Sequence, residues 1–241
     1  MKTSRQMMGL IAGLLFLVCL PRVGILKSAT PVLRSLEFQD HFDSGKLGAW
    51  AFPFPGDWEI LSEGPLHYLH MKRRREPGVP RRPLQFALLK DINMASFELE
   101  TRVRRNGRSM IIVFGYVDTL HFYYAHLSGD RGSEQPVHNG VFIVDGAPRR
   151  RVAGLDAAPA LPDREWHRIR LLRNALTGSI RVFVDDEAQP RFSLQDSTFT
   201  CGKVGLGSFD ETGDFAHVTL TAHDVDCVSG NRFRVRPAKT E

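Results

Sequence analysis

The sequence predicts an all-β fold, built as a sandwich or barrel of antiparallel strands. From Leu36 onward, apolar and polar residues alternate with a period of two, and helical periodicity is almost absent. About ten to twelve such segments follow one another, separated by turn residues at short intervals. The 21 glycines and 14 prolines among 241 residues favour many turns, and no alternation of strands with helices suggests a parallel sheet.

Each strand is predicted from its own pattern. SFELETRVRR (96–105) places Phe97, Leu99, Thr101 and Val103 on one face, and SMIIVFGYV (109–117) is apolar throughout. EWHRIRLLRN (165–174) alternates Trp166, Arg168 and Arg170 with His167, Ile169 and Leu171. The remaining predicted strands are HFYYAHLS (121–128), HNGVFIVDG (138–146), GSIRVFVDDE (178–187), PRFSLQD (190–196), CGKVGLGSF (201–209) and DFAHVTLTAHD (214–224).

The N-terminus has the pattern of a secretory signal. MKTSRQMM carries two basic residues, and the apolar run GLIAGLLFLVCL ends at Pro21. The run is shorter than the roughly 20 residues that a membrane span needs. We therefore expect a signal peptide over residues 1–29, with Ala29 the best small residue near its end and an uncleaved anchor as the alternative. The folded domain is predicted over 36–226, and the polar, basic residues 228–241 form a flexible tail.

Charge argues against nucleic acid as a partner. The formal net charge is +5, and removal of residues 1–29 would take away four basic residues and no acidic one. A secreted or periplasmic domain that is close to neutral, with no stable membrane span after cleavage, is a poor candidate for a nucleic-acid binder. The basic clusters KRRR (72–75), RR (81–82) and RRR (149–151) are local features, either solvated loops or a patch for carboxylate or sulfate groups.

Three segments resemble the concanavalin A-like lectin/glucanase superfamily. They are FQDHFDSGKLGAWAFPFPGDWEI (38–60), the hairpin REWHRIRLLRN…GSIRVFVDDE, and GKVGLGSFDETGDFAHVTL (202–220). The resemblance implies a jelly-roll of two antiparallel sheets, similar to exported 3-keto-disaccharide hydrolases (domain of unknown function 1080) and family 16 glycoside hydrolases. The strand with paired carboxylates that family 16 hydrolases carry is missing, because Glu98 and Glu100 alternate with basic residues.

HFYYAHLS contains the candidate catalytic residues. Ala125 and Leu127 suit the core, which places Tyr124 and His126 on the opposite, concave face, where they could stack on a sugar and transfer a proton. His138, at the start of the next strand, would lie beside them. The alternative is that all three are structural residues with satisfied hydrogen bonds.

Four further residues are candidates for substrate binding. Arg82 and Gln85 lie near a strand start stiffened by prolines, Asn139 offers amide donors and an acceptor, and Arg149 follows a turn. Arg82 and Gln85 with Tyr124 and His126 also match the residue types used by jelly-roll polysaccharide lyases. The alternatives are a solvated loop for the arginines and a turn role for Asn139.

Two other features bear on stability. The resemblance suggests a structural Ca²⁺, for which Asp40, Asp43, Asp210 and Asp214 are the candidate ligands, although aspartate in these positions is also typical of tight turns. Cys201 and Cys227, the cysteines outside the signal segment, predict one disulfide in an exported protein.

Together these observations predict an exported domain that binds or processes a carbohydrate at the cell envelope. A catalytic domain would be a glycoside hydrolase-like or polysaccharide lyase-like enzyme acting on a glycan, a disaccharide derivative or a uronate polymer. The alternative is a structural or adhesive envelope protein, which packing of HFYYAHLS on both faces would favour. The sequence makes no prediction of the oligomeric state.

Overall fold

The structure, a computed structural model, describes residues 35–130, 138–225 and 227. Within these residues the chain forms fifteen strands and one short 3-10 helix, Pro55–Asp57. The strands are β1 Ser35–Asp40, β2 Trp50–Ala51, β3 Trp58–Glu63, β4 Leu66–Met71, β5 Gln85–Leu89, β6 Met94–Arg105, β7 Ser109–Asp118, β8 His121–Ser128, β9 Gly140–Asp145, β10 Arg150–Ala153, β11 His167–Asn174, β12 Ser179–Val184, β13 Phe192–Gln195, β14 Lys203–Ser208 and β15 Gly213–Val225.

There are more strands than the sequence predicts because several are very short. Strand β2 has two residues, and β10 and β13 have four each, too few for an alternating pattern to stand out. The predicted signal segment (1–29) and tail (228–241) lie outside the described residues. No helix in the described part of the chain is long and apolar enough to cross a membrane.

The strands form two antiparallel sheets packed as a sandwich. Sheet A has eight strands in the order β13-β12-β11-β6-β15-β4-β3, with β1 also paired to β15. Sheet B has seven in the order β10-β9-β8-β7-β14-β5-β2. In the middle of sheet A, Leu99 of β6 lies opposite Leu171 of β11 and Leu220 of β15. The predicted all-β, two-sheet architecture is confirmed.

The main core lies between the sheets and follows the predicted alternation. On β6, Phe97, Leu99 and Val103 are buried, whereas Glu98 and Arg102 are exposed. Burial of each such apolar side chain stabilises the fold by about 1.5–3 kcal/mol. Sheet A therefore turns one face to the core and a polar face to solvent.

Sheet B differs because its outer face is also apolar and buried. Four of its strands each point two side chains outward, and Phe209, just after β14, packs against them. We call this set the outer cluster: Phe86, Leu88, Ile111, Val113, Phe122, Tyr124, Phe142, Val144 and Phe209. A sheet covered on both faces explains why β7 has a continuous apolar sequence.

Two further features hold the ends of strands in place. Cys201 and Cys227 form a disulfide, with their Cα atoms 6.0 Å apart, which ties the residues before β14 to those after β15. Arg173 on β11 is 5% exposed and donates to the backbone carbonyls of Gly178, Asp196 and Phe199. For Asp196 and Phe199 these bonds satisfy carbonyl groups that would otherwise have no donor, whereas the carbonyl of Gly178 also accepts from the N–H of Asp196.

Candidate functional site

Strand β8 places Tyr124 and His126 on the outer face of sheet B. Ala125 and Leu127 point into the main core, as the sequence predicts. The opposite face is not open, however, because Tyr124 and His126 are both 0% exposed and pack in or against the outer cluster. The strand is therefore packed on both sides, which is the structural alternative that the sequence leaves open for these residues.

Both ring nitrogens of His126 are engaged. Nδ1 lies 3.1 Å from Nη1 of Arg149, and Nε2 lies 2.8 Å from Oγ of Ser109. A guanidinium can only donate, so Nδ1 accepts and the ring proton is on Nε2. His126 therefore donates to Ser109. It cannot serve as a base that activates this hydroxyl.

The protein holds this pair neutral. Burial lowers the pKa of His126 well below its usual 6.5, and the positive charge of Arg149 lowers it further. Burial likewise raises the pKa of Tyr124, whose hydroxyl oxygen accepts a hydrogen bond from Arg149 at 3.1 Å. Neither side chain is poised to exchange a proton near neutral pH.

Two arginines cover the outer cluster at this point. The backbone N–H of Arg149 donates to the carbonyl of Arg81 at 2.9 Å, which joins two segments far apart in the chain. Their guanidinium carbons lie 4.2 Å (Arg149) and 4.9 Å (Arg81) from the ring centre of Phe209, which is 1% exposed. Arg149 is half-buried and Arg81 is exposed. We call these two residues the arginine pair.

A second polar group adjoins His126. The His138 ring meets it edge-on at 5.8 Å, and Nδ1 of His138 is hydrogen-bonded to the carboxylate of Asp130. The other oxygen of Asp130 lies 3.3 Å from Nε of Arg108. Beside them is a shallow depression of about 390 Å³ lined by Arg105, Gly107, Arg108, Gly129, Asp130 and Arg164. The structure therefore brings Tyr124, His126, His138 and Arg149 together.

The other predicted binding residues are not part of this site. Gln85 is 1% exposed and donates to Asp57 and to the carbonyl of Arg73. Its strand, β5, is three positions from β8 in sheet B, about 14 Å at the usual strand spacing. Arg82 donates to the carbonyl of Pro80. The residues matched to a lyase site are therefore separated.

Asn139 has a structural role instead of the predicted ligand contact. Its side chain is fully buried and donates to the carbonyl of Ala158 at 2.8 Å. Its Oδ1 accepts from the backbone N–H of Ala160. These bonds attach the loop 154–163 to the start of β9, so the amide is not available to a sugar.

The carboxylates considered for calcium do not converge. Asp40 accepts from the N–H groups of Phe42 and the Trp50 indole. Asp214 is 2% exposed and accepts from Arg104 at 2.8 Å, and Asp43 faces a histidine at the surface. No group of three or more acidic, histidine or cysteine side chains suited to a metal occurs among residues 35–130, 138–225 and 227. These residues do not fit a calcium ion.

Four residues of the site are absent from the sequence-based assignment: Arg81, Ser109, Asp130 and Phe209. Arg81 belongs to the basic cluster RR (81–82), for which the sequence predicts either a solvated loop or an anion-binding patch. Ser109 and Phe209 sit at the ends of predicted strands, and no local pattern marks them. Asp130 lies two residues after the end of β8.

Comparison with known proteins supports the fold. No protein-family profile and no curated protein sequence matches the chain. Among solved structures, the carbohydrate-binding module CBM66 of Bacillus subtilis is 15% identical, with a TM-score of 0.51 over 71% of this chain and 94% of the module. A proposed glycosyl hydrolase from Parabacteroides distasonis is 13% identical, with a TM-score of 0.51 over 76% and 98%.

A winged bean acidic lectin, solved with methyl-α-D-galactose, is 10% identical, with a TM-score of 0.51 over 80% of this chain and all of the lectin. At these identities the likeness concerns the fold alone. The chain has the jelly-roll sandwich fold of the concanavalin A-like lectins, as the sequence resemblance predicts.

Proposed function

We propose that the chain is an exported carbohydrate-binding domain with no catalytic role for the Tyr124–His126 pair. The observation that carries this is the closed state of His126, whose Nδ1 is occupied by Arg149 and whose Nε2–H is directed at Ser109. A general acid or base must reach the atom whose proton it moves. His126 is fully buried.

Hydrolysis of a glycoside finds little support at this site. Glycosidases use two carboxyl groups on either side of the bond, about 5–5.5 Å apart in retaining enzymes. Asp130, the acid beside His138, is 6% exposed and already bonded to His138 and Arg108. The hydrolase-like and lyase-like alternatives therefore rank below binding.

Two observations favour export and binding. A disulfide such as Cys201–Cys227 is typical of oxidising compartments, which agrees with the signal pattern of residues 1–29. Two proteins of similar structure, a carbohydrate-binding module and a lectin, are binding proteins by name. Because their sequence identity to this chain is low, they support carbohydrate binding as a function of this fold but do not identify the sugar.

A structural or adhesive role is the second candidate. It is favoured by the packing of β8 on both faces, since Tyr123 lies in the main core and Tyr124 in the outer cluster. In this case the aromatic strand would serve stability only, and the domain would have no glycan ligand.

The test is a glycan array and a product-release assay on the secreted protein, with Tyr124→Phe as the matched variant. We expect both proteins to bind glycan and neither to release product. Product formed by the native protein and lost in Tyr124→Phe would overturn the proposal in favour of catalysis. Absence of binding across the array would favour the structural role.

A further inference from the structure

We propose that the arginine pair, Arg81 and Arg149, binds an acidic group of the glycan, a carboxylate or a sulfate ester. The inference rests on the proposed function, and it adds the chemical class of the ligand and the place where it binds. The sequence predicts Arg149 as a candidate for substrate binding and both basic clusters as a possible patch for carboxylate or sulfate groups; the structure adds that Arg81 and Arg149 lie against one aromatic ring.

Within the part of the chain that the structure describes, the guanidinium of Arg149 contacts neutral partners only. Its Nη1 donates to the Tyr124 hydroxyl and to Nδ1 of His126, and its guanidinium stacks on Phe142 at 4.7 Å and on Phe209 at 4.2 Å. Hydrogen bonds to neutral acceptors orient a guanidinium but leave its charge uncompensated. An anionic ligand stabilises a half-buried cation among aromatic rings more than it stabilises a fully solvated cation.

Several other arginines of the domain are paired with acids. Arg75 is bound to Asp57, Arg104 to Asp214, and Arg191 to Glu187. Among the described residues, no carboxylate forms an ion pair with Arg81 or Arg149. The nearby acid is Asp210, whose charge contributes to the raised pKa of Tyr124.

Both guanidinium groups lie against the same aromatic ring. Both lie within 5 Å of the same ring centre, Phe209, and the backbone bond from Arg149 to Arg81 fixes the segments that carry them. Planar guanidinium groups make directional, charge-assisted hydrogen bonds to carboxylate and sulfate oxygens. Arg81 is exposed, so one partner is accessible from solvent while the other provides a fixed anchor.

The experiment compares glycans that differ only in charge. Isothermal titration would use tri-galacturonate against its methyl ester, and a sulfated galactan oligosaccharide against its desulfated form, at low and physiological salt. The variants are Arg81→Gln and Arg149→Lys. The control is Arg181→Gln, an exposed arginine in a depression of about 330 Å³ on the outer face of sheet A. Circular dichroism would establish that all four proteins are folded.

We expect one acidic glycan to bind about tenfold more tightly than its neutral counterpart, with most of this preference lost in Arg81→Gln and kept in Arg181→Gln. A preference for tri-galacturonate over its methyl ester would identify a carboxylate as the bound group. A preference for the sulfated galactan over its desulfated form would identify a sulfate ester. Equal binding of acidic and neutral forms would overturn the inference and leave the proposed function standing. An acidic preference that Arg181→Gln abolishes and Arg81→Gln keeps would also overturn it. If no oligosaccharide binds, both the inference and the proposed function fail.

Discussion

Replacement of His126 by glutamine should remove a specific dependence of stability on pH. The pKa of this imidazole lies well below 6.5 in the folded protein because of burial and the charge of Arg149, whereas it is ordinary in the unfolded chain. Below pH 6.5 the unfolded state therefore binds a proton that the folded state does not. Stability contributed by this group is complete above pH 6.5 and falls as the pH is lowered toward the folded-state pKa.

The size of this effect follows from the two protonation states. Provided that the folded imidazole is still neutral at pH 5, the free energy of unfolding at that pH is about 2 kcal/mol lower than at pH 7. Carboxylates with lowered pKa, such as Asp57 and Asp196, lose their contribution only below about pH 4. The pKa of His217 is also lowered, so this residue makes the same contribution to the pH dependence of stability in every variant.

Urea unfolding at pH 7, 6 and 5 measures the effect in the native protein, His126→Gln and the control His223→Gln. His223 is exposed, so its replacement should leave the slope unchanged. His126→Gln should be less stable at pH 7 and should lose about 2 kcal/mol less between pH 7 and pH 5. Equal slopes in the native protein and His126→Gln would refute the claim that His126 is buried and neutral.

Three other substitutions test the packing around the site. Replacement of Cys201 and Cys227 by alanine opens a loop with a sequence separation of 26, which should cost about 3.5 kcal/mol on the loop-entropy relation and is checked by urea unfolding. Arg173→Met leaves the carbonyls of Asp196 and Phe199 without their donor, whereas the carbonyl of Gly178 keeps the N–H of Asp196, and it should cost about 2 kcal/mol, against almost nothing for exposed Arg181→Met. Tyr124→Phe removes one hydrogen bond and should lower stability by about 1 kcal/mol, with a thermal melt as readout; no change would mean that the bond contributes nothing.

Much of the fold could be predicted because strand periodicity is a local property. The alternation in 96–105 and 165–174 predicts which side chains are buried, and the structure agrees for Phe97, Leu99 and Ile169. The same reasoning placed Ala125 in the core and Tyr124 on the opposite face. Successive side chains of a strand point to opposite faces of the sheet. The sequence of a single strand is therefore enough to predict which residues share a face.

What lies over the second face depends on residues distant in the sequence. Phe209 reaches the outer cluster from the end of β14, and Arg81 meets Arg149 through a backbone hydrogen bond between separate loops. Because of these contacts, Tyr124 and His126 form a closed, neutral pair and do not face an open site. They also bring two basic clusters together.

The sequence by itself therefore determined the class of fold, the strands and the faces of most side chains, because alternation and turn residues act over a few neighbouring positions. Only the tertiary structure decided that the aromatic strand is covered, that Gln85 lies apart from it, and that Arg81 and Arg149 are the exposed and half-buried cations beside it. The physical reason is that burial and charge compensation depend on which segments pack together in space, and no local pattern of residues encodes that choice.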